Sequence, residues 1–123
     1  MHTDDNKVVL SGNLGRDPEV GATPKGTLVA KFNVAVNTPL PGGLSKTVWV
    51  SCLALGDTAQ LVRNSLAHGD RVYVEGALDP YEYLPAGGGP KRQTFRILVD
   101  VVRPLTRRVR DARSLAFDFA TVQ

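Results

Sequence analysis

The stretch TVWVSCLALGDTAQLVRNSLAHG (residues 47–69) changes its hydrophobic period part-way along. From residue 48 to residue 54 every second side chain is small and apolar, as in a strand with one face in a core. After Asp57, apolar side chains recur at spacings of three and four, which predicts a helix of about three turns. Asp57 or Thr58 is expected to cap the start of the helix, and Gly69 its end. The stretch therefore predicts a strand that leads into a short helix.

Further strand patterns lie on both sides of this strand–helix unit. They are runs of β-branched and aliphatic residues at 6–15, 27–37, 70–79 and 93–102. The second of these runs is expected to pair with the strand at 47–55 as a hairpin. Glycine and proline predict a loop or bent strand edge at 16–26 and a long mobile loop at 80–92. Five strands with a helix between the third and fourth indicate an all-β OB-fold, a five-stranded Greek-key barrel.

The composition is typical of one soluble globular domain. The chain has 123 residues, of which 42% are hydrophobic and 22% charged. No apolar run approaches the roughly 20 residues that span a bilayer, and the start MHTDDNK is unlike a signal or transit peptide. The one cysteine, Cys52, falls on the apolar strand face and is expected to be a core residue in a reducing compartment. We therefore expect a cytoplasmic protein without membrane contact.

The positive charge is concentrated near the C-terminus. The whole chain carries a net charge of +3, and residues 107–123 supply four Arg against two Asp. A basic segment favours anionic partners such as nucleic acid, although a solvated run of charges explains it equally well.

Patterns that would indicate catalysis or cofactor binding are missing from the sequence. It has neither a Gly-x-Gly-x-x-Gly fingerprint between a strand and a helix nor a Gly-Lys-Ser/Thr phosphate loop. The two histidines, His2 and His68, do not form a metal-ligand pattern with the single cysteine. We therefore expect a binding protein that uses no cofactor and is not an enzyme.

The only tryptophan, Trp49, lies on the strand face opposite the predicted core. One interpretation is a binding platform, because a large flat ring on an outward face offers a stacking surface. The other is structural, with the ring packed against a neighbouring subunit or the barrel rim.

Several blocks in order resemble the bacterial single-stranded DNA-binding protein family. They are NKVVLSGNLGRDPEV, TPKGTLVAKFNVAVN, TVWVSCLALGDTAQLV and HGDRVYVEGAL, and the resemblance covers about residues 6–105. Members of this family stack bases on aromatic rings and run phosphates along basic side chains. The resemblance implies single-stranded DNA as partner, roles in replication, recombination and repair, and a homo-oligomer, most often a tetramer.

The resemblance also implies positions for the binding residues. Trp49 and Tyr83 are at stacking positions, and Tyr81 adds a ring. The side chains that remain to contact phosphates are Lys7, Lys31, Arg71, Lys91, Arg92 and Arg96. Leu40 and Leu55 stand where the family usually has further aromatic residues. Sites that often carry Arg or Lys read Gly21, Ser51, Asp79, Tyr81 and Glu82, so we expect weaker affinity per domain.

The C-terminus departs from the family pattern. Family members commonly end in a glycine-rich linker and an acidic tip that recruits repair and replication proteins. Residues 106–123 are basic and then apolar, ending RSLAFDFATVQ. We expect this extension to be ordered and to pack on the barrel or a neighbouring subunit. Any replication or repair partner is then recruited in another way.

Two other functions remain open. The first is an OB-fold accessory paralogue of primosomal or competence type, which acts mainly through protein partners. The second is an RNA-binding OB protein, because stacking alone does not distinguish ribose from deoxyribose.

Overall fold

The computed structural model describes residues 4–105, in which strands predominate. The strands are β1 (Val8–Leu14), β2 (Glu19–Ala22), β3 (Leu28–Pro39), β4 (Ser45–Leu55), β5 (Arg71–Tyr83) and β6 (Arg92–Pro104). One α-helix, α1 (Gly56–Ser65), follows β4, and a short 3-10 helix (Pro41–Gly43) lies between β3 and β4. The C-terminal extension, and with it the expectation that it is ordered, falls outside the described residues. No helix within 4–105 is long and apolar enough to cross a membrane.

The five long strands close into a barrel. The sheet order is β1-β5-β6-β4-β3-β2, and β1 also pairs with β3 through Asn13 and Leu14, which completes the ring. All pairings are antiparallel except β4 with β6, where Cys52 lies opposite Ile97. The short β2 is an added edge on the start of β3. A closed five-stranded barrel with a helix after its third long strand confirms the predicted OB-fold.

The core is built from the inward-facing side chains of alternate strand positions. On β3 these are Ala30, Phe32 and Val34, and the inward positions of the other long strands are likewise mostly small or β-branched. Helix α1 packs Ala59 and Val62 against this cluster. Each fully buried valine contributes about 1.5 kcal/mol or more to folding by leaving water.

The helix begins earlier than predicted. Its N-cap is Leu55, without a side-chain cap bond, so neither Asp57 nor Thr58 caps it. Gly56 has φ +60°, a conformation that glycine adopts without strain, and this turns the chain from strand to helix in one step. The helix ends at Ser65, with Leu66 as C-cap, and Gly69 lies in the turn that follows.

The predicted loop at 80–92 is wrong at both ends, because residues 80–83 and residue 92 belong to strands. Strand β5 continues to Tyr83 and β6 begins at Arg92, and these two residues are register partners. Tyr81 and Tyr83 keep a two-residue period that the neighbouring glycines and prolines conceal in the sequence. Only residues 84–91 connect the strands, so β5 and β6 form a long hairpin that extends beyond the barrel.

Cys52 is buried in the barrel. The reactivity of its thiol toward a disulfide reagent therefore tests whether the barrel is closed. Burial raises the pKa of the thiol to about 12, so at pH 8 the thiolate that attacks disulfides is about a thousandfold scarcer than in an unfolded chain. We expect an aromatic disulfide reagent to leave the folded protein unmodified at pH 8 and to react completely in denaturant. Stability should also fall above about pH 9, because the unfolded thiol then loses a proton that the native one retains. Rapid labelling under native conditions would contradict this placement.

Candidate nucleic-acid interface

The outward faces of β3 and β4 form a flat surface beside Trp49. Cross-strand partners pair Ala35 with Trp49, Asn33 with Ser51 and Lys31 with Leu53. The Ser51 hydroxyl donates a hydrogen bond to Asn33 Oδ1 at 3.2 Å. The cross-strand partner of Trp49 itself is the small Ala35, and the next pair along this surface, Asn33 with Ser51, is polar.

Trp49 is held in an exposed position by a glycine. The residue is 62% exposed, and the six-membered ring of its side chain lies against Gly15, just after β1. A Cβ atom built on Gly15 would overlap Cζ3 of the ring and lie 3.0 Å from Cη2. The backbone N–H of Gly15 is itself fixed by the Asn33 carbonyl at 3.1 Å. The ring thus rests on backbone that cannot easily move, with an open cavity of 330 Å³ beside it.

Gly15→Ala is expected to move the tryptophan ring while leaving the barrel folded. The new methyl group meets a flexible side chain and not backbone, so the ring can turn away, and the loss of stability should stay below about 1 kcal/mol. We expect the tryptophan emission to shift and the affinity for a single strand to fall. Emission and affinity equal to those of the unmodified protein would show that Gly15 does not position the ring.

A second cavity of 210 Å³ adjoins the first, and β5 and β6 contribute to it. Lys31, Asn33 and Leu53 lie on the β3–β4 side, and Tyr81 and Arg96 on the hairpin side. The Arg96 guanidinium carbon lies 4.6 Å from the centroid of the Tyr81 ring, within the range of a cation–π contact. The ring of Tyr83 follows, 6.4 Å from that of Tyr81 between centroids. Three aromatic rings and several cations therefore border one continuous surface.

The structure brings most of the predicted binding residues to this surface. Tyr81 and Arg96 line the second cavity together with Lys31, and Trp49 borders the first. Arg92 is the cross-strand partner of Tyr83, and Lys91 directly precedes β6.

Five predicted residues do not line these cavities, namely Tyr83, Lys91 and Arg92 at the end of the β5–β6 hairpin, and Lys7 and Arg71. Lys7 lies beside β1 and forms an ion pair with Glu75 at 3.5 Å. A hydrogen bond from the Tyr73 hydroxyl lowers the pKa of the Glu75 carboxyl, which therefore stays charged opposite Lys7. Arg71 donates to Asn13 Oδ1 at 3.2 Å, and Asn13 is in turn the register partner of Ala35. Arg71 is also the cross-strand partner of Asn13, and Ala35 is that of Trp49. Counted through β1 and β3, Arg71 is therefore three strands away from Trp49 around the barrel, at the same level.

Sequence reasoning missed Arg16, which lines both cavities. It follows Gly15 at the point where β1 closes the barrel, so it lies beside Trp49 although 33 positions separate them. The sequence feature that could have drawn attention to Arg16 is its place in the block GNLGRDPE. By itself, this block indicates only a loop or strand edge.

Comparison with known proteins identifies the family of this chain. Residues 5–105 match the model of the Single-strand binding protein family. The chain belongs to this family. Among its relatives are two proteins from Thermus thermophilus, each described as "Single-stranded DNA-binding protein". Each is 38% identical over 99 residues, which cover 80% of this chain but only 37% of the relative.

The family is one of binding proteins and not of enzymes. Within residues 4–105 no group of three or more His, Cys, Asp or Glu side chains is arranged to hold a metal ion.

Proposed function

We propose that this chain binds single-stranded DNA, without strong sequence preference, along the outward faces of β3, β4 and the β5–β6 hairpin. The observation that carries the proposal is the exposed Trp49 ring, supported from below by Gly15 and continuous with Tyr81 and Tyr83. Every base has a π-face, so stacking on such rings tolerates any sequence and contributes about 1–3 kcal/mol per base.

Cations along the same surface supply the phosphate contacts in this proposal. Lys31, Arg16 and Arg92 border it, and Lys91 lies at its end. Each neutralised phosphate of a single strand contributes about −0.7 to the slope of log affinity against log salt. Leu40 and Leu55 occupy the other positions where family members stack bases, so we propose an affinity per domain below that of typical members.

We further propose that the protein acts as a homo-oligomer, most simply a tetramer, in the cytoplasm and in association with the nucleoid. The β1 strand supports assembly, because it pairs with β5 from Val8 to Asn13 but with β3 only at Asn13 and Leu14. The remaining edge offers unpaired backbone groups to a second chain. In this proposal the protein has no catalytic role. It protects exposed strands during replication, recombination and repair.

A second candidate is an accessory protein that acts mainly through protein partners. The tip of the β3–β4 hairpin favours it, because Leu40 and Leu44 are both exposed there. Exposed leucines in place of stacking rings suit a protein surface better than a base.

The decisive experiment is a titration of tryptophan fluorescence with oligothymidine at two salt concentrations. Trp49 is the only tryptophan, so the signal reports on this site alone. Quenching with a steep salt dependence supports strand binding at the proposed surface. Absence of both quenching and binding contradicts it and favours the protein-partner candidate. Oligouridine of equal length provides the RNA comparison.

A further inference from the structure

Asp79 forms the closest charge contact on the strand-binding surface. It lies directly opposite Arg96 in the β5–β6 hairpin, and its Oδ2 accepts a hydrogen bond from Arg96 Nε at 2.9 Å. The two side chains are 32% and 27% exposed, so the pair is partly withdrawn from water. Solvent therefore screens it less than a fully exposed pair, and the carboxylate remains an effective partner for the guanidinium.

The contact also sets the direction of the Arg96 side chain. The bond from Nε fixes the inner end of the guanidinium, while its central carbon lies over the Tyr81 ring. A planar guanidinium held in this way is a stacked group that supports the ring. Without Asp79, Arg96 is free to turn toward solvent and toward a phosphate.

Asp79 changes the charge balance of the cavity as well. The cavity lining contains the cations Arg16, Lys31 and Arg96 and the acids Asp17 and Glu19. The lining alone therefore has one more cation than acid, and the neighbouring carboxylate of Asp79 cancels that excess. A phosphate that approaches Arg96 meets a carboxylate at the same place, whereas a neutral base meets no repulsion.

We propose that Asp79 is a specificity-determining residue: it holds Arg96 on the Tyr81 ring and cancels its charge, so that this part of the surface selects bases over a bare phosphate backbone. Arg96 is then a positioning residue and contributes little as a phosphate contact. The inference rests on the proposed function, because it assigns a preference to the same surface. Its ligand class is a polynucleotide with exposed bases, and the disfavoured class is a base-free polyanion.

The test compares oligothymidine with an abasic oligodeoxynucleotide of equal length, at 50 and 200 mM salt, using fluorescently labelled strands. Asp79→Asn should strengthen binding of the abasic strand more than binding of oligothymidine. The discrimination ratio, which is the affinity for oligothymidine divided by the affinity for the abasic strand, therefore falls. The slope of log affinity against log salt concentration should steepen by about 0.7, as expected for one added phosphate contact. Between the two salt concentrations this corresponds to a further change in affinity of about 2.6-fold. The substitution keeps the side chain's size and should leave the fold intact, because a partly exposed pair adds little to stability.

Two further variants separate this role from a general effect of charge. Asp100→Asn removes one negative charge from the exposed bulge of β6 and should leave the discrimination ratio unchanged. In an Arg96→Gln background, Asp79→Asn should change the discrimination ratio less than in the unmodified protein, because it then removes only the repulsion by its own charge and releases no Arg96 side chain. An unchanged discrimination ratio in Asp79→Asn, or an equal change of that ratio in Asp100→Asn, would overturn this inference and leave the proposed function standing. Failure of the unmodified protein to bind oligothymidine would overturn the proposed function, and this inference with it.

Discussion

Replacing Trp49 with alanine is expected to weaken binding of oligothymidine by about 1–3 kcal/mol, or about 5- to 150-fold, because the proposed surface loses its most exposed stacking ring. Trp49 is 62% exposed and its ring lies against Gly15 outside the barrel core, so its removal leaves the buried cluster intact. We expect the midpoint temperature of thermal unfolding to change by only a few degrees. Anisotropy of a fluorescently labelled strand is the suitable measurement, since the variant has no tryptophan.

Two controls make the Trp49 result specific. Trp49→Phe keeps an aromatic ring and should recover part of the affinity. Leu61→Ala removes an exposed apolar side chain from α1, away from the cavities, and should bind like the unmodified protein. If all three variants bound equally well, the strand would not pass over Trp49.

Replacing Gly12 with alanine is expected to cost about 3 kcal/mol or more of unfolding free energy, which is enough to unfold a small barrel under mild conditions. A Cβ atom at Gly12 would overlap the carbonyl oxygen of Ala35 and lie 2.9 Å from its carbonyl carbon. These are backbone atoms in the pairing of β1 with β3 that closes the barrel, so they cannot move aside as a side chain can. Urea denaturation followed by circular dichroism measures the effect.

The matched control for Gly12 is Gly21→Ala. Gly21 is an exposed residue of β2 without a positive φ, and a Cβ atom placed on it would have no heavy atom within 4 Å. Its replacement should change stability by no more than about 0.5 kcal/mol. Equal stability of the Gly12 and Gly21 variants would mean that β1 and β3 do not approach as closely as described.

The sequence predicted the secondary structure well where the hydrophobic period was undisturbed. The strand at 47–55 alternates without a break, and its predicted pairing with the strand at 27–37 is confirmed along the whole hairpin. The prediction was wrong at 80–83 and at 92, because the glycines and prolines of this stretch outweighed the alternation of Tyr81 and Tyr83. Cross-strand partners on β6, which lie outside any short sequence window, extend that strand.

The candidate site was predictable in part. The outward position of Trp49 followed from strand periodicity, and its expected role came from the family resemblance. The contact of Trp49 with Gly15 and the pairing of Asp79 with Arg96 did not follow from either. In the sequence Asp79 indicated only the loss of a positive charge, whereas in the structure it orients a neighbouring cation.

The sequence by itself determined the order of five strands and a helix, and the buried strand face at Cys52 and Ala54, although Val48 on that same face is 41% exposed. Both properties depend on the period of hydrophobic side chains within a short segment, so they can be seen without knowing the partners. Tertiary structure alone decided which outward residues meet: Trp49 with Gly15, and Arg96 with Asp79 and Tyr81. These contacts depend on the register between strands and on closure of the barrel, because both bring residues that are distant in the sequence within a few ångströms of each other. The local period carries no information about either.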